Sequence, residues 1–295
     1  MADYVISCCT TVDLSKEYLE SRDIKYICFH FFMNDVEYQD DLGQSYPYDK
    51  FYADIAAGGI ARSSQINIPE YEDFFTSFVE QGYDVVHFSL SSGISGTSGS
   101  ARNAAELVNE KYPDHHVYVI DTLAASSGFG LLVDKAADLR DEGMSAPDLA
   151  AWMEENKKKL HHWFFSTDLT SFVRGGRISK TAGVFGGALH ICPLMNVDYM
   201  GRLIPRYKIR GKKKVIQEIV VRMEEHAQDG HDYSGKCFIS NSACYEDARE
   251  VADLVEAKFP KLNGKVMINS IGTTIGAHTG PGTVALFFWG DERVD

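Results

Sequence analysis

The segment Ser89-Leu90-Ser91-Ser92-Gly93-Ile94-Ser95-Gly96-Thr97 decides how the chain is interpreted. It follows an apolar run, residues 83–88, whose β-branched and aromatic side chains predict a strand. Small apolar residues then recur with helical spacing, at Ala101, Ala104, Ala105 and Val108. Where a strand ends and a helix begins, backbone N–H groups and small hydroxyl side chains can converge on an anion. The segment therefore predicts a site for a carboxylate or a phosphate.

The length and composition predict a large α/β protein. The chain has 295 residues, of which 44% are hydrophobic, so it can bury a sizeable core, and its length favours two domains over one. Alternating strand and helix patterns predict a mainly parallel N-terminal sheet flanked by helices. We expect an N-terminal α/β domain at 1–158 and a second α/β domain at 159–295, with some exchange of chain between them.

The charge and the cysteines exclude several classes of protein. A net charge of −13 argues against nucleic-acid binding and against general affinity for anionic membranes. The six cysteines form no C-x-x-C pair and no metal-ligand spacing with histidine, which predicts reduced thiols and no metal site. No apolar run approaches the ~20 residues of a membrane span, and the first residues lack signal-peptide features. We expect a cytoplasmic protein whose contact with membranes is at most transient.

Two further segments could contribute to an anion site. Ser63 and Ser64 precede an aromatic helix pattern and are either residues that lead into that helix or hydroxyl donors facing the Ser95 turn. In residues 173–180, paired glycines stand between Arg174 and Arg177. These arginines could grip a carboxylate or phosphate, or they could simply complement the dipole of a helix C-terminus.

A basic segment interrupts this acidic chain. Residues 202–214 contain seven basic side chains and no acidic one: Arg202, Arg206, Lys208, Arg210, Lys212, Lys213 and Lys214. The last three stand at a predicted helix start, where positive charge is unfavourable. The segment is either a solvated basic face or, as we expect, a docking surface for an acidic partner or a phosphate.

Residues 271–282 contain four glycines and a proline, which predict a shaped loop with His278 at its centre. A lone histidine is often structural, but in such a loop it could also contact an anion. Gly93-Ile94-Ser95-Gly96-Thr97 nearly matches the G-x-S-x-G nucleophile motif, so a serine esterase or acyltransferase using Ser95 and His278 stays an alternative. The dinucleotide and P-loop fingerprints are absent from the sequence, so no nucleotide cofactor is expected.

The sequence resembles the DegV-type bacterial fatty-acid-binding proteins, the lipid-carrying subunits of fatty acid kinase. Five segments in the same order carry the resemblance: residues 10–14 (TTVDL), 63–65 (SSQ), 90–97 (LSSGISGT), 173–178 (VRGGRI) and 275–282 (IGAHTGPG). The sequence departs from the usual pattern at four positions. Cys9 replaces an aspartate, Ser63 a threonine, Ile66 a proline and Cys192 a lysine, and of these Ser63 keeps the hydroxyl.

The resemblance implies a non-catalytic carrier with a fatty acid held at the interface of two α/β domains. Ser63, Ser95 and Gly96 would bind the carboxylate, and His278 would lie beside it. Secondary contacts would come from Ser64, Ser92 and Thr279. A separate ATP-binding kinase would then phosphorylate the carboxylate to an acyl phosphate. Its docking surface, or a phosphate contact, would include Arg174, Arg177, Arg206 and Arg210, and no cofactor other than the fatty acid ligand is implied.

Overall fold

The computed structural model describes residues 4–179 and 191–294. In these residues thirteen strands form three sheets. The strands are β1 (Tyr4–Cys9), β2 (Ile24–Ile27), β3 (Phe29–Met33), β4 (Val36–Asp40), β5 (Ala61–Ser64), β6 (Asp84–Ser89), β7 (Val117–Asp121), β8 (Leu160–Ser166), β9 (Ile191–Val197), β10 (Leu203–Arg210), β11 (Phe238–Asn241), β12 (Met267–Ser270) and β13 (Thr283–Trp289).

Helices connect most of these strands. Within the described residues they are α1 (Lys16–Ser21), α2 (Tyr48–Ala56), α3 (Ile68–Val79), α4 (Thr97–Lys111), α5 (Ser126–Asp141), α6 (Ala146–Asn156), α7 (Thr170–Arg174), α8 (Lys212–His226), α9 (Tyr245–Lys258) and α10 (Thr273–Thr279). Short 3₁₀ turns occur at Thr10–Val12, Lys157–Lys159 and Gly230–Asp232.

The first sheet, which we call the parallel sheet, has the strand order β2-β1-β6-β7, and all its pairs are parallel. This confirms the prediction for the N-terminal part of the chain. The crossovers through α1, α3 and α4 return each strand in the same direction, as βαβ units require. The carboxyl ends of its strands therefore meet at one edge, where the segment 89–97 lies.

The second sheet, the large sheet, has the order β10-β9-β8-β13-β11-β12. Only β11 and β12 pair in parallel, and the other pairs are antiparallel. The alternation of strands and helices in residues 203–289 therefore does not produce a second parallel sheet. The antiparallel pairing arises because β9 and β10 form a hairpin and β13 enters the sheet between β8 and β11.

A third, small sheet has the antiparallel order β4-β3-β5. The sequence allowed Ser63 and Ser64 to be either residues that lead into a helix or hydroxyl donors. Both belong to strand β5. The sequence pattern that would predict this strand is weak because β5 has only four residues. Its position is fixed by pairing with β3.

One apolar core continues from the parallel sheet to a face of the large sheet. It combines side chains of β1 and β6 with Phe164, Met195 and Phe287 of the large sheet. Helix α5 packs against both sheets through Phe129 and its neighbours. A separate apolar cluster, formed with α8 and α9, covers the opposite face of the large sheet. The strands of the parallel sheet precede residue 158 and those of the large sheet follow it, and the domain division at this residue stays a prediction.

The predicted loop at residues 271–282 is wrong in part, because residues 273–279 form the short helix α10. Its N-terminal backbone N–H groups are bound by distant side chains: Gly272 N donates to Asp13 Oδ1 over 2.9 Å, and Thr274 N donates to Asp40 Oδ2 over 3.2 Å. These two distant carboxyl groups take the place of an N-cap side chain adjacent to the helix, which is the feature that a sequence pattern can detect. Gly280, at a φ of +65°, ends the helix.

Candidate functional site

A cavity of about 350 Å³ lies where the three sheets approach one another. Most of its wall is apolar and comes from Phe29, Leu90, Ile94, Ala125, Phe164, Phe172, Val197, Leu203, Ile271, Ile275, Ala285 and Phe287. The polar lining residues are Ser63, Gln65, Ser95, Ser126, His162, Arg177, Thr274, His278, Thr279 and Thr283. An apolar cavity with a few polar groups is typical of a site for an amphipathic ligand.

The turn at Ser95 lies at the carboxyl end of β6, as predicted. The backbone N–H of Ser95 donates to Ser91 O over 3.1 Å, and Ser95 Oγ accepts from Thr97 N over 3.3 Å. Gly96 occupies the N-cap position of α4, and both Ser95 and Gly96 line the cavity. The predicted strand–turn–helix is therefore confirmed, and its hydroxyl borders a cavity.

Two close approaches hold this turn in place. Ser91 Oγ donates to Gly201 O over 2.8 Å, so the turn of the β9–β10 hairpin rests on the segment 89–97. A Cβ at Gly93 would collide with the backbone of that hairpin. A Cβ at Gly96 would lie 2.5 Å from Oε1 of Gln65, the residue after β5, so the side chain of Gln65 packs directly against the start of α4.

Ser63 and His278 meet at the cavity. Ser63 Oγ lies 2.7 Å from Nε2 of His278, which stands in the last turn of α10. Because side chains alternate along a strand, Ser64 points to the opposite face of β5, and it does not belong to the cavity wall. Of the two serines left open by the sequence, the structure brings only Ser63 to the wall that contains Ser95.

Of the other two predicted secondary contacts, Thr279 belongs to the cavity wall and Ser92 does not. Thr279 is buried and lines the cavity. Ser92 is exposed, its backbone N–H donates to Asp121 Oδ1 over 3.0 Å, and it does not belong to the wall.

Burial sets the protonation state of His278. The pKa of His278 is lowered to about 4, chiefly because the ring is buried and secondly because Arg177 is close. Its Nδ1 is buried and has no hydrogen-bond partner among the described residues. A Cβ at Gly175 would collide with Nδ1, so this glycine makes room for the ring. The imidazole is therefore neutral at neutral pH.

The two arginines of the segment 173–180 occupy different environments. Arg174, at the end of α7, is exposed, whereas Arg177 is half-buried and lines the cavity. Arg177 Nη1 donates to Gly175 O over 2.5 Å, and Gly176, at a φ of +70°, provides the turn between them. Burial lowers the pKa of Arg177, but a guanidinium stays charged. The positive charge in the cavity wall thus comes from Arg177. The rest of the segment, Lys180, lies outside the described residues.

The helix that presents His278 is anchored by two buried carboxyl groups. Asp13 follows β1 and Asp40 ends β4, and both are almost fully buried. Besides the α10 backbone, Asp13 accepts from Ser126 Oγ at the start of α5. Burial raises the pKa of both carboxyl groups. The parallel sheet and the small sheet therefore each hold α10 by one aspartate.

Sequence reasoning missed several residues of the wall. Gln65, Ser126, Thr274 and His162 line the cavity, and the sequence analysis assigned none of them to the site. The alternation of side chains along β8 is the sequence signal that could have identified His162. His162 and Phe164 face the cavity, whereas Trp163 and Phe165 belong to the apolar cluster on the other face of the sheet.

The basic segment is exposed along β10 and the start of α8. Arg202 pairs with Asp198 over 2.7 Å and Lys212 with Asp247 over 2.9 Å. Arg206 is half-buried, and its Nε donates to Asn196 Oδ1 over 2.8 Å. Arg210, Lys213 and Lys214 are exposed and have no ion-pair partner among the described residues. The predicted helix start at these lysines is confirmed.

One group of side chains has the residue types of a metal site, but not the geometry. In the described residues, His161, His226 and Asp291 place possible ligand atoms within 4.8 Å of one another. The two imidazole rings are stacked at 18° with centroids 4.8 Å apart, so one ion cannot lie in both ring planes. His161 Nε2 is also within 2.8 Å of Asp291 Oδ1. We therefore interpret the group as a hydrogen-bonded cluster.

No helix among residues 4–179 and 191–294 has both the length and the apolar character needed to cross a membrane.

Comparisons with known proteins agree with the architecture. The sequence matches the DegV family, a family of uncharacterised proteins, over residues 8–291. A DegV domain-containing protein of Clostridium perfringens is 35% identical over 293 residues, which are 99% of both chains.

Two solved structures share the fold. A stearic-acid-binding protein of Eubacterium ventriosum is 27% identical, with a TM-score of 0.86 over 96% of this chain and 97% of that one. A DegV lipid-binding protein of Thermotoga maritima is 25% identical, with a TM-score of 0.82 over the whole of both chains. From the family match and the identity to its curated relative, this chain is a member of the DegV family.

Proposed function

We propose that this protein binds a long-chain fatty acid in the cavity, with its carboxylate at the polar group formed by Ser63, Ser95 and His278. The observation that carries the proposal is the composition of the wall, in which Ser63 contacts His278 and both line, with Ser95, a cavity whose remaining wall is mostly apolar. The stearic-acid-binding relative supports the class of ligand. The protein would act as a cytoplasmic, non-catalytic carrier with no cofactor other than its fatty acid.

The carboxylate would be held mainly by hydrogen bonds. With its proton on Nε2, the neutral ring of His278 would donate to Ser63 Oγ and leave the Ser63 hydroxyl proton for the ligand. Ser95 Oγ and the backbone N–H of Gly96 would add donors at the helix start. Hydrogen bonds to a charged acceptor are strong, and Arg177 would supply the nearby positive charge.

The acyl chain would occupy the apolar part of the cavity. Burial of each methylene contributes about 0.8 kcal/mol. Phenylalanine and aliphatic side chains from three sheets would surround it. Most of the binding free energy would thus come from the acyl chain, and the carboxylate contacts would add affinity and fix the orientation of the ligand.

We further propose that the carrier presents the fatty acid to the ATP-binding subunit of a fatty acid kinase, which forms the acyl phosphate. This step rests on the family resemblance and on the basic segment. Arg210, Lys213 and Lys214 offer exposed positive charge without an internal ion-pair partner in the described part of the chain, which suits an acidic partner surface. Arg174 and Arg206 are the further candidates for that surface, whereas Arg177 fits the carboxylate site better.

The esterase alternative is less well supported. A serine nucleophile needs a base within hydrogen-bond reach and a third group that orients the base. Nε2 of His278 is bonded to Ser63, and Ser95 Oγ accepts from Thr97 N. On the other side of the ring, Nδ1 has no carboxylate partner among the described residues. The arrangement favours a hydrogen-bonding site for a ligand over an activated serine.

Native mass spectrometry of the gently purified protein tests the proposal. We expect one fatty acid per chain, and repeated absence of a fatty acid would contradict carrier function. A fluorophosphonate probe distinguishes the alternative, because covalent labelling of Ser95 would favour the esterase.

A further inference from the structure

The strand β8 carries a histidine into the apolar part of the cavity. His162 lies opposite Phe287 on the neighbouring strand, and Ser166 lies opposite Thr283 four residues further along β8. The carboxyl end of β8 leads to α7 and Arg177, and so to the carboxylate end of the proposed site. At about 3.3 Å per residue, His162 is roughly 13 Å from Ser166 along the strand. It therefore faces the part of the cavity assigned to the acyl chain.

The ring of His162 presents a hydrogen-bond acceptor. Its Nδ1 lies 3.2 Å from Leu160 O and must carry the proton to donate to this carbonyl, which leaves Nε2 with a free lone pair. His162 is 2% exposed, and Nε2 has no hydrogen-bond partner among the described residues. Burial, together with the nearby Arg293, lowers the pKa of His162 and keeps the ring neutral.

The surroundings pack closely around the ring and leave this nitrogen unpaired among the described residues. A Cβ at Gly128 of α5 would collide with the ring, so the helix accommodates the imidazole only because it has a glycine there. The neighbouring lining hydroxyls already have partners. Ser126 Oγ is bonded to Asp13 and Ser240, and Thr283 Oγ1 donates to Ser166 Oγ over 3.0 Å. A buried acceptor without a donor costs free energy, and a ligand can supply the donor.

We propose that His162 selects a fatty acid that carries a hydroxyl group in the middle of its chain. This inference rests on the proposed function and names the class of fatty acid. The hydroxyl would donate to Nε2 of His162, while Ser63 and Ser95 hold the carboxylate. An unsubstituted chain would place methylene groups against Nε2 and leave it unpaired, so a site of this kind discriminates against the analogue that lacks the hydroxyl.

Competitive displacement of a fluorescent fatty acid from the delipidated protein tests this. The competitors are octadecanoic acid and a series of its isomers hydroxylated at successive mid-chain carbons. We expect at least one isomer to bind about tenfold more tightly than the unsubstituted acid, the gain of one buried hydrogen bond. We expect His162→Phe to abolish this preference, so that no hydroxylated isomer binds more tightly than the unsubstituted acid.

The outcomes separate the two proposals. If the wild-type protein binds octadecanoic acid and favours none of the hydroxylated isomers, the role of His162 is overturned and the carrier function stands. A preference that persists in His162→Phe also overturns it. If none of these acids displaces the probe, both proposals fail. If His162→Phe does not fold, the comparison of isomers on the wild-type protein still tests whether a mid-chain hydroxyl group is preferred.

Discussion

The Ser63 hydroxyl lies 2.7 Å from Nε2 of His278, although 215 positions separate the two residues in the sequence. The contact joins an edge strand of the small sheet to the last turn of α10. Asp13 and Asp40 bind the other end of that helix. The polar end of the cavity is thus a product of tertiary structure.

A double-mutant cycle on this pair tests whether the two residues act together. We expect Ser63→Ala and His278→Gln each to weaken fatty acid binding, and the double variant to cost less than the sum of the single changes, since both disrupt one network. Coupling between contacting residues is typically about 0.5–3 kcal/mol. Ser64→Ala, on the opposite face of β5, is the matched control and should leave binding unchanged. Strictly additive losses would show that the residues act separately.

Removal of the Ser95 hydroxyl should weaken binding at the other side of the polar group. We expect Ser95→Ala to lower the affinity for a fatty acid by ~1–3 kcal/mol, because a charged acceptor loses a donor. Isothermal titration measures the loss. Ser92→Ala, three residues away and outside the wall, is the control. Equal affinities for wild type and Ser95→Ala would remove Ser95 from the carboxylate site.

The basic segment should affect phosphorylation of the bound fatty acid by the kinase and should leave fatty acid binding unchanged. We expect Arg210→Ala to retain its fatty acid but to be phosphorylated more slowly by the kinase partner, because Arg210 is exposed on β10 and is not part of the cavity wall. The measurements are ligand occupancy and the initial rate of acyl phosphate formation. Lys16→Ala, which removes the same charge outside the basic segment, should leave both unchanged. Parallel loss of occupancy and rate in Arg210→Ala would contradict this division of roles.

Buried histidines should make the fold sensitive to mild acid. Burial lowers the pKa of His87 to about 3, and those of His161 and His278 to about 4. In the unfolded chain they titrate near 6.5, so as the pH falls through about 6.5 the unfolded state takes up protons that the folded state does not. Stability should therefore decrease from about pH 7 to about pH 5.

His87 offers the matched variant for this effect. Its ring packs among Tyr71, Phe74 and Phe75 and does not line the cavity. In urea titrations, His87→Phe should reduce the pH dependence by about one proton, or roughly 1.4 kcal/mol per pH unit. An unchanged slope in this variant would show that His87 is not the group that takes up the proton.

Sequence patterns predicted the structure correctly where residues adjacent in the sequence determine it. The apolar run before Ser89 and the alanine spacing after Thr97 predicted β6, the turn and α4, since each depends on adjacent residues. The turn residues Met200-Gly201-Arg202 between two apolar runs likewise predict a hairpin, which β9 and β10 form.

Other features depend on partners that the sequence does not reveal. The choice between Ser63 and Ser64 follows from the register of β5 against β3, and α10 needs its two distant aspartates. Arg177 turns into the cavity through the conformation of Gly176, although the sequence suggested a surface role for it as readily. The pairing of β8 with β13 places His162 beside the acyl-chain region, and the alternation within β8 does not specify that partner.

The most direct measurement compares a long-chain fatty acid with its methyl ester in equilibrium titrations of the delipidated protein. The two ligands share the apolar chain and differ in the charged carboxylate that Ser63, Ser95 and His278 are proposed to hold. We expect the acid to bind about tenfold to a hundredfold more tightly than the ester, as loss of hydrogen bonds to a charged group predicts. Equal affinities, or no binding of the acid, would contradict a carboxylate site at these residues.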